Sequence, residues 1–165
     1  MGYTHYWRFH RDNMKTEKLR QTFKKASEEI QKLYENLPLF PKTGYYTEIR
    51  TDHGIHIRGG LGEGLPIINE TEIWFNGEIK LDMDHETFSI NWKDEEAFGF
   101  CKTARKPYDL LVCLSLLSFL NHYGSEIFQL SSDGDASEWQ EAVDLYNDIT
   151  GKGISNPFET AEVEA

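Results

Sequence analysis

Leu110-Leu-Val-Cys-Leu-Ser-Leu-Leu-Ser-Phe-Leu120 is eleven residues without a charge and apolar on nearly every side. As a helix it has to be covered all round, so the chain must place other elements on more than one side of it. It is too short to cross a bilayer. Pro107 suits the first helical turn, where a missing N–H costs nothing. Asp109 falls in the same turn, at the positive end of the dipole. Gly124 offers a left-handed stop. The pattern therefore predicts a buried helix over about 107–123.

Directly upstream stands Phe100-Cys101-Lys102-Thr103-Ala104-Arg105-Lys106. Lys102, Arg105 and Lys106, with the Thr103 hydroxyl, precede a helix start whose free N–H groups favour anions. Their setting is acidic, with a formal net charge of −11. Residues 1–50 hold ten Lys/Arg against six Asp/Glu, and residues 51–165 hold seven against twenty-two. Such a field repels a nucleic-acid backbone and disfavours generic DNA or RNA binding. It leaves a local basic site for a small anion, or an acidic surface offered to a basic protein.

Residues 3–10 alternate as a strand, with Tyr3, His5, Trp7 and Phe9 on one face. Asp12 or Asn13 can cap the next element. Leu19, Phe23, Ala26, Ile30, Leu33 and Leu37 then mark an amphipathic helix ended by Pro38. Residues 44–58 suggest one or two strands, and Asn76-Gly77 suits a two-residue hairpin turn. Glu86 to Trp92, Phe98 to Cys101 and Ile127 to Leu130 read as further strands. Ser137 with Gln140, or Asp135 with Glu138, can start a last helix carrying Trp139, Val143 and Tyr146. The order predicts an α+β fold: an antiparallel sheet of four to six strands packed by three helices. It predicts one domain over 1–150 and a loose acidic tail over 151–165. Cys101 and Cys113 read as reduced core thiols, and the N-terminus has no apolar leader, so a cytoplasmic protein is expected.

Several side chains are candidates for chemistry. In the leading reading Lys102, Thr103, Arg105 and Lys106 hold a phosphate, and Tyr6, Trp7 or Tyr108 stack on the organic part of the ligand. His5 shares a face with Trp7. Asp82, Asp84, His85 and Glu86 are of ligand type, but in a short connection they fan outward, and no metal or cofactor is expected. His85-Glu86-Thr87 fits one half of a two-histidine phosphoesterase, and no second copy exists. Gly59-Gly60-Leu61-Gly62-Glu63-Gly64 lacks the ending of a P-loop, and Asp133-Gly134-Asp135 fails as a calcium loop.

Gly2-Tyr-Thr-His-Tyr-Trp7, His85-Glu-Thr-Phe88 and Phe100-Cys-Lys-Thr-Ala-Arg-Lys-Pro-Tyr-Asp109 together resemble a family of small proteins from bacteriophage and prophage genomes. The resemblance runs from residue 2 to the Ser132-Asp133-Gly134 turn and Trp139. It implies a setting, an accessory protein acting in bacterial cytoplasm, and carries no catalytic residue onto the chain. Many proteins in that setting counter host defence, some by binding nucleotide signals and some by inhibiting proteins. Three functions are therefore open. They are a binding protein for a phosphate-bearing, nucleotide-like small molecule, an acidic inhibitor or adaptor for a basic host protein, and a hydrolase using His85, Glu86 and His5.

Overall fold

The computed structural model describes residues 2–40 and 54–159. The class is α+β, with strands β1 (Thr4–Phe9), β2 (Ile57–Arg58), β3 (Ile67–Ile68), β4 (Glu72–Gly77), β5 (Phe88–Asn91), β6 (Phe98–Lys102) and β7 (Phe128–Ser132). Among the described residues the helices are α1 (Thr16–Glu35), α2 (Asp109–Tyr123) and α3 (Ala136–Thr150). The strands form two antiparallel sheets. In one, β1 lies between β6 and β7; in the other, β4 pairs with β2, β3 and β5.

The apolar run forms α2, and every residue from Asp109 to Phe119 is buried. Helices α1 and α3 and strand β7 pack on it, which is how the fold covers a helix with no polar face. On β1 the alternation puts His5, Trp7 and Phe9 inward, while Tyr6 and Arg8 face outward. Opposite Phe9 on β7 is Phe128, their rings edge to face at 5.4 Å. Helix α1 turns Leu19, Phe23, Ala26, Ile30 and Leu33 to the core.

One carboxylate ties the three helices together. Glu29 of α1 accepts hydrogen bonds from Ser118 of α2 at 2.9 Å and from Tyr146 of α3, and Lys152 reaches its other oxygen at 2.6 Å. His122 stands 3.3 Å away. Burial alone would raise this carboxyl, but the contacts from His122, Lys152, Tyr146 and Ser118 hold it down at about 2.

Three local expectations need correction. Asn76-Gly77 is not a hairpin turn: both residues lie in β4, and a Cβ on Gly77 would fall 2.0 Å from the Met83 carbonyl oxygen. The glycine answers a close approach, while buried Asn76 pairs through its amide with the backbone N–H and C=O of His85, at 3.0 and 2.9 Å. Asp12 and Asn13 form a 3-10 turn instead of a cap, and α1 starts from Lys15 with no side-chain cap. The segment after α3 is not loose as far as residue 159. Phe158 packs on Trp139 at 4.6 Å, and buried Asn156 donates to the Ala136 carbonyl at 2.8 Å. Of the one or two strands expected over 44–58, Ile57–Arg58 is formed among the described residues; 44–53 lie outside them, as do the last six residues.

Candidate active site around His5

β6 leads into α2 through a tight turn. The Lys106 N–H donates to the Thr103 carbonyl at 3.0 Å, and the two residues between, Ala104 and Arg105, have φ of +52° and +59°. Neither is glycine, so each position costs on the order of 1 kcal/mol. The Tyr3 carbonyl fixes this turn by accepting from Thr103 N–H at 3.0 Å and Ala104 N–H at 3.3 Å. The first N–H groups of α2 are also engaged: Asp109 donates to Lys106 O at 2.9 Å, Leu110 to Pro107 O and Leu111 to Tyr108 O.

Arg105 and Lys106 have internal partners. Arg105 bonds Glu138 of α3, and its guanidinium lies 3.9 Å over the Tyr3 ring. Lys106 donates to the Asp82 carbonyl at 2.6 Å and stands 3.6 Å from the Asp82 carboxylate. Lys102 binds through its backbone, its N–H donating to Glu86 Oε1 at 2.7 Å while its carbonyl accepts from the Glu86 N–H. The Lys102 side chain runs beside Gly2. An anion seated here would have to draw Glu138 off Arg105 and Asp82 off Lys106. Of the three expected stacking residues, Trp7 and Tyr108 are buried, the latter donating to the Glu86 carbonyl at 2.6 Å. Tyr6 is half-buried and stacks on Phe98. His85 turns Nδ1 to the Lys102 carbonyl at 2.7 Å, apart from His5.

Thr103 and Asp109 belong to a different cluster, centred on a buried His5. Asp109 Oδ1 accepts from the Thr103 hydroxyl at 2.5 Å and lies 2.6 Å from His5 Nε2. A carboxylate only accepts, so Nε2 carries a hydrogen, and in the neutral ring Nδ1 is then an acceptor. Facing Nδ1 at 2.7 Å is Ser132 Oγ. Strand register explains the meeting. Asp133 N–H donates to Thr4 O and His10 N–H to Ile127 O, so His5 and Ser132 form the intervening pair without backbone bonds. In such a pair the side chains stand closest.

The surroundings hold this arrangement in place. Tyr3 and Trp139 both meet His5 in T-shaped contacts, with centroids 5.0 Å away. Asp109 is the first residue of α2, where the helix dipole favours its charge. Cys113, one turn on, donates to Asp109 Oδ2 at 3.5 Å. Burial, then Asp109, push its thiol well above the ordinary range, so it stays protonated. Ser132 Oγ also accepts from the Gly134 N–H at 2.9 Å. A Cβ on Gly134 would fall 2.1 Å from the Tyr3 hydroxyl, so only glycine lets the turn close over that ring. His5 and Asp109 are buried, whereas Ser132 is half-buried at the end of β7.

His5, Asp109 and Cys113 also form a group of metal-ligand type. Two ligands on one tetrahedral zinc stand about 3.3 Å apart, given bonds of about 2.0 Å. The 2.6 Å between Nε2 and Oδ1 suits a hydrogen bond instead.

Sequence reasoning singled out His5, there as a partner of His85 and Glu86, and Thr103 and Asp109 for other tasks, and it missed Ser132, Cys113 and Tyr3 as members of this cluster. Comparison with protein-family models, curated proteins and solved structures finds no match. Among the described residues no helix is long and apolar enough to cross a membrane.

Proposed function

We propose that this protein is a hydrolase with a nucleophilic serine, acting on an ester or phosphoester of a small molecule. The observation that carries the reading is the placement of His5 between Ser132 Oγ at 2.7 Å and Asp109 Oδ1 at 2.6 Å, one on each ring nitrogen. Ser132 is the attacking group, His5 the base, and Asp109 the carboxylate that fixes the tautomer and offsets charge on the ring. Thr103 and Cys113 are positioning residues that act through Asp109.

In the first step the Ser132 proton passes to His5 Nδ1 as Oγ bonds the acyl carbon or phosphorus. The leaving alkoxide takes that proton as its own bond breaks. Water then gives a proton to His5 as its oxygen bonds the acyl carbon or phosphorus, and Ser132 Oγ takes that proton back as its ester bond breaks. Tyr3, whose phenol burial keeps protonated, closes on Gly134 beside the same turn and supplies a hydroxyl donor there. The phage-type setting implied by the sequence resemblance belongs to this proposal. In that setting a phosphate-bearing signal is a fitting substrate, held with Arg105 once Glu138 moves aside.

The test is hydrolysis of nitrophenyl esters and bis-nitrophenyl phosphate by the purified chain and by Ser132→Ala. Turnover lost by about 10³-fold or more in the variant supports the assignment. Equal turnover by both proteins, or none by either, refutes it.

A further inference from the structure

A second, separate feature lies on the opposite face of the three-stranded sheet. Strand β6 is at its edge. Phe9 N–H donates to Ala97 O and Thr103 N–H to Tyr3 O, so the odd-numbered residues of β6 face β1. By the alternation of an antiparallel ladder, Phe98, Phe100 and Lys102 turn their N–H and C=O groups outward. The backbone of Lys102 confirms that direction, since both its groups meet Glu86. Among the described residues no strand is hydrogen-bonded to the edge at Phe98 and Phe100.

The side chains at these positions are as unusual as the backbone. Phe98 is 43% and Phe100 54% exposed. With Tyr6 stacked on Phe98 and the Arg8 guanidinium 5.1 Å over the same ring, they form an aromatic ridge along the edge. Edge strands are normally blunted by proline, bulges or inward charges, and β6 has none of these from Phe98 to Phe100. An edge of this kind is a template for another strand.

Charge selects among the candidates. Asp94, Glu95 and Glu96 are exposed just ahead of β6, and exposed Asp133 lies by the Tyr6 hydroxyl. The chain as a whole carries −11. Two copies, each carrying that net charge, repel one another, whereas a basic segment is drawn in and oriented by the acids ahead of β6. We propose that the outer edge of β6 takes up an extended, basic segment of a partner protein as an added strand. Backbone groups of Phe98 and Phe100 supply the hydrogen bonds, and the two rings cover the incoming apolar side chains. This surface does not depend on the hydrolase reading, since it uses neither His5 nor Ser132.

The test uses the intact chain and a fluorescein-labelled octapeptide of alternating lysine and valine. Its controls are the glutamate–valine counterpart and a version N-methylated at alternate amides. Anisotropy should show binding by the lysine peptide, weakened roughly tenfold or more by N-methylation, by Phe100→Ser or by a rise to half-molar salt. Amide exchange at Phe98 and Phe100 should slow when the peptide is bound. No binding at millimolar peptide, equal binding of the N-methylated or glutamate peptide, or unchanged exchange at those amides overturns the proposal. Sedimentation showing a dimer that Phe100→Ser abolishes also overturns it, because the edge would then belong to a second copy.

Discussion

His5 Nε2 and Asp109 Oδ1 lie 2.6 Å apart in the interior although 104 residues separate them in the chain. The pair joins the second residue of β1 to the first of α2, so it pins the buried helix to the sheet as well as orienting the imidazole. Removing one partner of a buried pair strands the other in a dry site. Asp109→Ala is expected to lower stability by about 3 kcal/mol, measured by urea unfolding, and the more conservative Thr103→Val by about 1 kcal/mol.

Arg105 and Glu138 are each partly exposed, 27% and 31%, so their ion pair is screened by solvent. The stack on Tyr3 adds a contact that survives loss of the acid. A double-mutant cycle with Arg105→Ala and Glu138→Ala should give a coupling of about 1 kcal/mol or less. Glu138→Ala should also strengthen the heat of binding of nucleotides or inorganic phosphate in calorimetry, by releasing the guanidinium. A weaker heat in that variant would place the anion away from Arg105.

Ala104 holds φ at +52° without being glycine. Relief of that strain outweighs the entropy a glycine adds to the unfolded chain. Ala104→Gly is therefore expected to raise stability by about 0.5–1 kcal/mol in thermal or urea unfolding, against the usual direction for such a change.

Glu29 sets an acid-side limit. Its carboxyl is held down at about 2 in the folded chain, against 4.5 for the ordinary group. A depressed carboxyl contributes stability that is fully present above the unfolded value. That contribution drains away as pH falls from about 4.5 toward 2. Allowing for the partly exposed Lys152, the contribution is on the order of 2 kcal/mol. Urea midpoints should fall across that window in the wild type, and less steeply in Glu29→Gln.

The sequence carried the fold class because its signals are local. The apolar run has no polar face to spare, and the spacing from Leu19 to Leu33 admits one helical stripe. The inward set His5, Trp7 and Phe9 follows from alternation alone. Misreadings came where one residue serves a distant neighbour. Gly77 looks like half of a hairpin turn until the Met83 carbonyl is placed against it. Asp109 looks like a dipole residue until β1 brings His5 to it, and Arg105 looks unpaired until α3 delivers Glu138. Ser132 showed in the sequence only as part of a turn. What sets it opposite His5 is the strand register, which no periodicity within one segment reveals.

Reaction with a fluorophosphonate probe tests the Ser132–His5–Asp109 relay most directly. Ser132 Oγ should displace fluoride, with its proton passing to His5. Peptide mass spectrometry should then find one phosphonyl group per chain, on Ser132, with labelling abolished by Ser132→Ala and slowed at least a hundredfold by Asp109→Asn. A folded wild-type chain that stays unlabelled, or one labelled equally after Ser132→Ala, would show that the hydrogen bonds around His5 only hold the fold together.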